Sequence, residues 1–111
     1  MGTQVSVRHV DNVVILDLVG RFVDTLSIHD TIKSLLDRGN LDILVNLEKA
    51  KLIGNGTTGE LVSCWATVKR NGGVLKILNP DENEKRWLEA GHLDRVLDIY
   101  CDEQLALSSF G

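Results

Sequence analysis

Apolar runs rich in β-branched residues alternate with amphipathic segments, and this alternation restricts the possible folds more than any other feature of the chain. Val5, Val7 and Val10 predict a first strand, Asp11-Asn12 a turn, and Val13-Val14-Ile15-Leu16-Asp17-Leu18-Val19 a second strand that Gly20 ends. The pair reads as a hairpin. Ser27 reads as the N-cap of a helix with Ile28, Ile32, Leu35 and Leu36 on one face and Gly39 as its stop. Asp42-Ile43-Leu44-Val45-Asn46-Leu47 reads as a buried central strand, and Glu48-Lys49-Ala50-Lys51 as a polar stretch after it. Leu61, Val62, Trp65 and Val68 mark a second helical face, closed by Asn71-Gly72-Gly73. Val74 to Leu78 is the next strand. Asn79-Pro80-Asp81-Glu82 opens a helix that turns Trp87 and Leu88 inward and stops at Gly91. Val96 to Tyr100 is a last strand, and Asp102 caps a final helix bearing Leu105, Ala106, Leu107 and Phe110. The order β-β-α-β-α-β-α-β-α predicts an α/β fold with a mixed sheet of about five strands and helices mainly on one face. The hairpin falls toward an edge.

The chain of 111 residues, 43% apolar, has enough material for one domain over residues 1–111. Its net charge of −4, with the basic residues dispersed singly, excludes a nucleic-acid footprint. No apolar run approaches the roughly 20 residues that span a bilayer. Met1 to Arg8 lacks the apolar core of a secretory signal. Met1-Gly2 with Ser6 matches a myristoylation pattern, which the strand through Val5 and Val7 sets aside. Cys64 and Cys101 are too few and too far apart for a disulfide framework or zinc site, and read as small buried apolar residues. A cytoplasmic protein is expected. His9, His29 and His92 stand alone, without the spacing a metal site on a helix needs, so no metal and no cofactor are expected. Ser63 and Cys64 have no local base. The pairs Asp81-Glu82 and Asp102-Glu103 are accounted for by helix dipoles. No catalytic constellation emerges, so the chain does not read as an enzyme.

One segment stands apart. Gly54-Asn55-Gly56-Thr57-Thr58-Gly59 matches G-x-G-x-x-G between a predicted strand and a predicted helix. As a nucleotide fingerprint it is weakened by the polar stretch before it, by its place at the third strand and by the short chain. Thr57 and Glu60 also fit a capping box, Thr57 Oγ1 accepting from the Glu60 N–H and the Glu60 carboxylate from the Thr57 N–H. Exposed backbone N–H groups at a helix N-terminus suit an anion, and the missing side chains leave room for a protein partner.

In order, spacing and length the chain resembles the STAS domain family, specifically bacterial anti-sigma-factor antagonists. The third strand Ile43-Leu44-Val45-Asn46-Leu47, the helix from Gly59-Glu60-Leu61-Val62-Ser63, and Gly72-Gly73 before Leu75-Lys76-Ile77-Leu78-Asn79 carry the resemblance. The family pattern after the third strand is Asp-Ser-(Ser/Thr)-Gly-(Leu/Ile)-Gly. On this chain its aspartate falls at Gly54, its phosphoacceptor serine at Asn55, its next hydroxyl at Gly56, its first glycine at Thr57, its apolar residue at Thr58 and its last glycine at Gly59. The resemblance implies partner switching in the regulation of transcription. The unphosphorylated domain binds an anti-sigma factor, a serine kinase of the histidine-kinase-like ATPase class, and phosphorylation of the motif serine breaks the complex. Asn55 has no hydroxyl to phosphorylate. The expected consequence is a non-switching antagonist, or a switch moved to Thr57 or Thr58. Gly54, Asn55, Gly56, Thr57, Thr58 and Gly59 are the expected docking loop, with Glu60, Ser63 and Thr67 as exposed contacts on the following helix. The rival reading is a small-molecule or nucleotide-binding module using the same loop.

Overall fold

The computed structural model describes residues 2–110. The chain runs β1 (Gln4–Val10), β2 (Val13–Val23), α1 (His29–Asp37), β3 (Asp42–Ile53), α2 (Asn55–Arg70), β4 (Val74–Leu78), α3 (Glu82–Ala90), a 3₁₀ turn (Leu93–Arg95), β5 (Asp98–Tyr100) and α4 (Glu103–Ser109). The strands form one sheet in sequential order, β1-β2-β3-β4-β5. The β1–β2 pair is antiparallel and the other three pairs are parallel, as the alternation of strands and helices predicts.

One face of the sheet carries the main core. Val14, Leu16, Leu18, Ile43, Val45 and Leu47 from the strands pack with Ile32, Leu61, Val68 and Leu88 from the first three helices. The opposite face carries a smaller cluster, in which Val13, Ile15, Leu44 and Leu78 pack under Ala106 of α4. Helices thus cover mainly one face, and α4 covers part of the other.

Several boundaries differ from expectation. Gly20 does not end β2; the strand passes through it at φ +115° and runs on to Val23. The polar stretch Glu48 to Lys51 is not a loop either, since β3 continues to Ile53. A register shift explains why the pattern hid this. Asp17 pairs with Asn46 but Val19 pairs with Lys49, so β3 carries an extra residue there. Leu47 and Ala50 both face the main core, an odd spacing that only the bulge permits. α1 begins at His29, and no side chain caps it; Ser27 has φ +55° and makes no capping bond. α3 is capped by Asp81 rather than Asn79, through a reciprocal box with Glu84. Trp87 points outward. The last strand is only Asp98–Tyr100, with Val96 exposed before it. Cys64 is buried as expected, but Cys101 is exposed.

Cations at both ends clamp α4, which is only two turns long. The Arg8 guanidinium donates to both oxygens of Asp17 and, at 2.8 Å, to Glu103 in the first turn of α4. The Lys76 ammonium donates to the Ser109 carbonyl at 3.1 Å in the last turn, and lies over the rings of Tyr100 and Phe110. Hydrogen bonding from Arg8 holds the Asp17 carboxyl below its ordinary value of 3.8. A depressed carboxyl stabilises the fold fully above that ordinary value and loses its contribution as pH falls through the folded one. Arg8→Ala should therefore cost about 1 kcal/mol at neutral pH, because the pair is partly exposed. In thermal melts the deficit should persist down to about pH 4 and shrink below it.

Candidate functional site

β2 and β3 run side by side to their ends, Val23 opposite Ile53, and the Asp24 N–H extends the ladder by donating to the Ile53 carbonyl at 2.8 Å. The β2–α1 loop and the glycine loop are therefore pressed together. A Cβ on Gly56 would fall on the Asp24 carbonyl oxygen, and one on Gly54, which has φ +89°, would fall on Asp24 Oδ1. The backbone approach requires glycine at Gly56, and the positive φ favours it at Gly54. The Asp24 carboxylate thus lies over Gly54, although it comes from a residue 30 positions earlier in the chain.

The capping box expected between Thr57 and Glu60 does not form. α2 starts two residues before Thr57, directly from the end of β3, which places both residues inside the helix. The Thr57 hydroxyl donates to the Gly54 carbonyl at 2.8 Å. Glu60 turns instead to the β2–α1 loop. Its carboxylate accepts from the Thr25 hydroxyl at 2.8 Å, the Leu26 N–H at 2.8 Å and the Ile28 N–H at 2.9 Å. It holds the backbone just before α1, while the helix itself has no side-chain cap. Burial works to raise the Glu60 carboxyl, but the bonds from Ile28, Leu26 and Thr25 outweigh it and hold the group below the usual carboxylate range. This clamp fixes the segment in which Asp24 and Ser27 both hold positive φ.

The expected docking residues divide by exposure. Gly54, Asn55, Gly56, Gly59 and Ser63 are exposed. Thr57 and Thr58 are buried, at 1% and 9% exposure, and Thr67 is buried at 7% instead of presenting an outer contact. The Thr67 hydroxyl donates to the Ser63 carbonyl at 3.0 Å and accepts from Arg70. Glu60 is half-buried and committed to its clamp, so it too departs from the expected exposed contact. Asn55, the first residue of α2, is an exposed polar side chain.

Two other features bear on chemistry. Cys64 Sγ lies 3.7 Å from His29 Nδ1, a pairing across α1 and α2 that no local spacing signals. Burial pushes the Cys64 thiol up to about 12, so at neutral pH it is protonated and no activated nucleophile results. Among the described residues no group of three His, Cys, Asp or Glu side chains is placed to hold a metal, and no helix is long and apolar enough to cross a membrane. The glycine loop follows its strand directly, contrary to one objection to the nucleotide reading. The close approach its first two glycines permit, however, is already occupied by Asp24.

No protein-family model matches the chain, and no curated protein matches it. Solved structures do. A Thermotoga maritima protein assigned as an anti-sigma factor antagonist superposes with a TM-score of 0.81 at 24% identity, covering 96% of this chain and 93% of that one. An anti-sigma factor antagonist from Mycobacterium paratuberculosis gives 0.84 at 14% identity, over 98% and 94% of the two chains. The Bacillus cell fate determinant SpoIIAA in its phosphorylated form gives 0.75 at 16% identity, over 96% and 98%. The chain has the fold of the anti-sigma factor antagonists, the STAS domain fold.

Two substitution pairs test this site. Gly56→Ala drives a methyl into the Asp24 backbone and should destabilise by about 1–3 kcal/mol. Gly59→Ala, with open space around its Cβ inside a helix, should be neutral or stabilising by up to about 1 kcal/mol in the same urea titration. Glu60→Ala should increase hydrogen exchange at the Leu26 and Ile28 amides by roughly tenfold or more. Glu60→Gln, which keeps one acceptor oxygen, should fall between it and the wild type.

Proposed function

We propose that this chain is a regulatory protein-binding domain of the anti-sigma-factor antagonist type, held permanently in the state that binds. One observation carries the reading. Asn55, which the family resemblance aligns with the phosphoacceptor serine, is exposed, and the neighbouring threonines Thr57 and Thr58 are only 1% and 9% exposed. The Thr57 hydroxyl is in addition tied to the Gly54 carbonyl.

The structurally similar SpoIIAA exists in a phosphorylated and an unphosphorylated form. The family switch rests on placing about two negative charges on the docking loop. A neutral amide at this position has the charge of the unphosphorylated serine. The partner is an anti-sigma factor, a serine kinase of the histidine-kinase-like ATPase class, and it docks on Gly54–Gly59 together with the Asp24 loop and the outer side of α2 at Ser63. The Glu60 clamp makes the two loops one preformed surface, which lowers the ordering cost of binding. The domain spans residues 1–111, works in the cytoplasm and needs neither cofactor nor metal.

Asn55→Asp adds a charge where the family adds its phosphate. It should weaken binding to the anti-sigma factor by roughly tenfold or more in calorimetry. An unchanged dissociation constant would place the docking surface elsewhere. Incubation of the wild type with that kinase and ATP, followed by mass spectrometry, should find no phosphate under conditions that modify a serine-bearing antagonist. A phosphate on Thr57 or Thr58 would instead show a relocated switch.

A further inference from the structure

The helical pattern of α3 turns Trp87 toward the core, yet the structure leaves its side chain 46% exposed. It stands at a cavity of about 220 Å³ between the end of β3, the first turn of α2 and the start of α3. Ile53, Asn55 and Thr58 line one side, and Asp81, Glu84 and Trp87 the other. The cavity therefore adjoins the docking loop and shares Asn55 with it.

The lining has a definite polarity. Glu84 is only 8% exposed, and its two oxygens accept from the Asp81 N–H at 2.9 Å and the Leu52 N–H at 3.2 Å. Asp81 Oδ1 accepts from the Glu84 N–H at 2.8 Å. Neither carboxylate takes part in a salt bridge among the described residues. Lys51, the basic residue of the rim, pairs with neither. An anion would be repelled here. An apolar side chain would bury two carboxylates that no ion pair neutralises, with only the more distant Lys51 acting on Glu84. A lysine would satisfy the charge but make little use of a large exposed indole. A guanidinium meets all three features: it is cationic, it stacks on an aromatic face, and its fork of N–H donors matches a carboxylate.

We propose that this cavity receives an arginine side chain of the protein partner, stacked on Trp87 and hydrogen-bonded to Asp81, so that the docking surface extends from Asn55 onto α3. The inference rests on the docking reading given above. Trp87 is then the aromatic anchor of the interface, ringed by the polar groups of the glycine loop.

The test uses the full chain and the purified ATPase-domain anti-sigma factors of the same genome, titrated one by one in a calorimeter. Against the protein that binds the wild type, Trp87→Ala should weaken affinity roughly thirtyfold or more, and Trp87→Phe much less. Asp81→Asn keeps a helix-capping oxygen and should weaken binding roughly tenfold while flattening its salt dependence. Melting curves check that each variant is folded; should Trp87→Ala unfold, Trp87→Phe and Asp81→Asn still decide. A partner that is weakened by Asn55→Asp but binds Trp87→Ala and Asp81→Asn within twofold of the wild type overturns the arginine cavity and leaves the docking reading standing. A partner indifferent to all three positions, or a wild type that binds none of these proteins, overturns both.

Discussion

The full-length parallel pairing of β2 with β3 is the constraint on which the site depends. It runs from Val13 opposite Asp42 to Val23 opposite Ile53, well beyond the apolar cores of both strands. Because the two strands end together, the segments leaving them must share one small space. Gly56 allows it, since a side chain there would collide with the Asp24 backbone, and Gly54 adopts the positive φ the turn needs. A loop that looks like a phosphate cradle in one dimension is, in three, the seat of a neighbouring loop. Its glycine content reflects backbone crowding.

Carboxylates then lock this arrangement. Glu60 ties α2 to the β2–α1 loop, Glu84 ties α3 to Leu52 at the end of β3, and Asp17 joins Arg8 and Asn46 beneath α4. Each is partly or largely buried and each accepts several donors, which is the condition under which a buried charge supports a fold. Burial raises the Glu84 carboxyl despite its bonds from Asp81 and Leu52, whereas donors prevail at Glu60 and Asp17. The region around Asn55 is therefore braced from two directions, by α2 through Glu60 and by α3 through Glu84. A braced surface suits recognition of a protein partner, since little freedom remains to be lost on binding.

The architecture was legible in the sequence because it follows from hydrophobic period. Runs such as Val13 to Val19 and Val74 to Leu78 can bury themselves only as strands, and the intervening helical faces then dictate parallel neighbours. Strand ends were not legible. A bulge in β3 reverses the alternation between Leu47 and Ala50, so a continuing strand reads as a polar stretch. Caps misled where long-range donors and acceptors outcompeted local ones. Ser27 and the Thr57–Glu60 pair have the right residues for capping, but Glu60 reaches three donors on another loop. Trp87 misled for a related reason: its place in α3 suggests burial, but α3 lies where the edge of the core leaves a cavity open.

The sequence by itself determined the order of elements, the two faces of the sheet, and the chemical fact that position 55 offers an amide and no hydroxyl. These are properties of local periodicity and residue type, and no packing can alter them. Tertiary structure alone decided that Asp24 lies over Gly54, that Thr57 and Thr67 are withdrawn from the surface while Thr58 lines the cavity beside Asn55, that Glu60 is a clamp, and that Trp87 faces outward at the same cavity. Each of these depends on which distant backbone group comes within hydrogen-bonding or van der Waals reach, and that distance is fixed only when β2 and β3 pair to their ends.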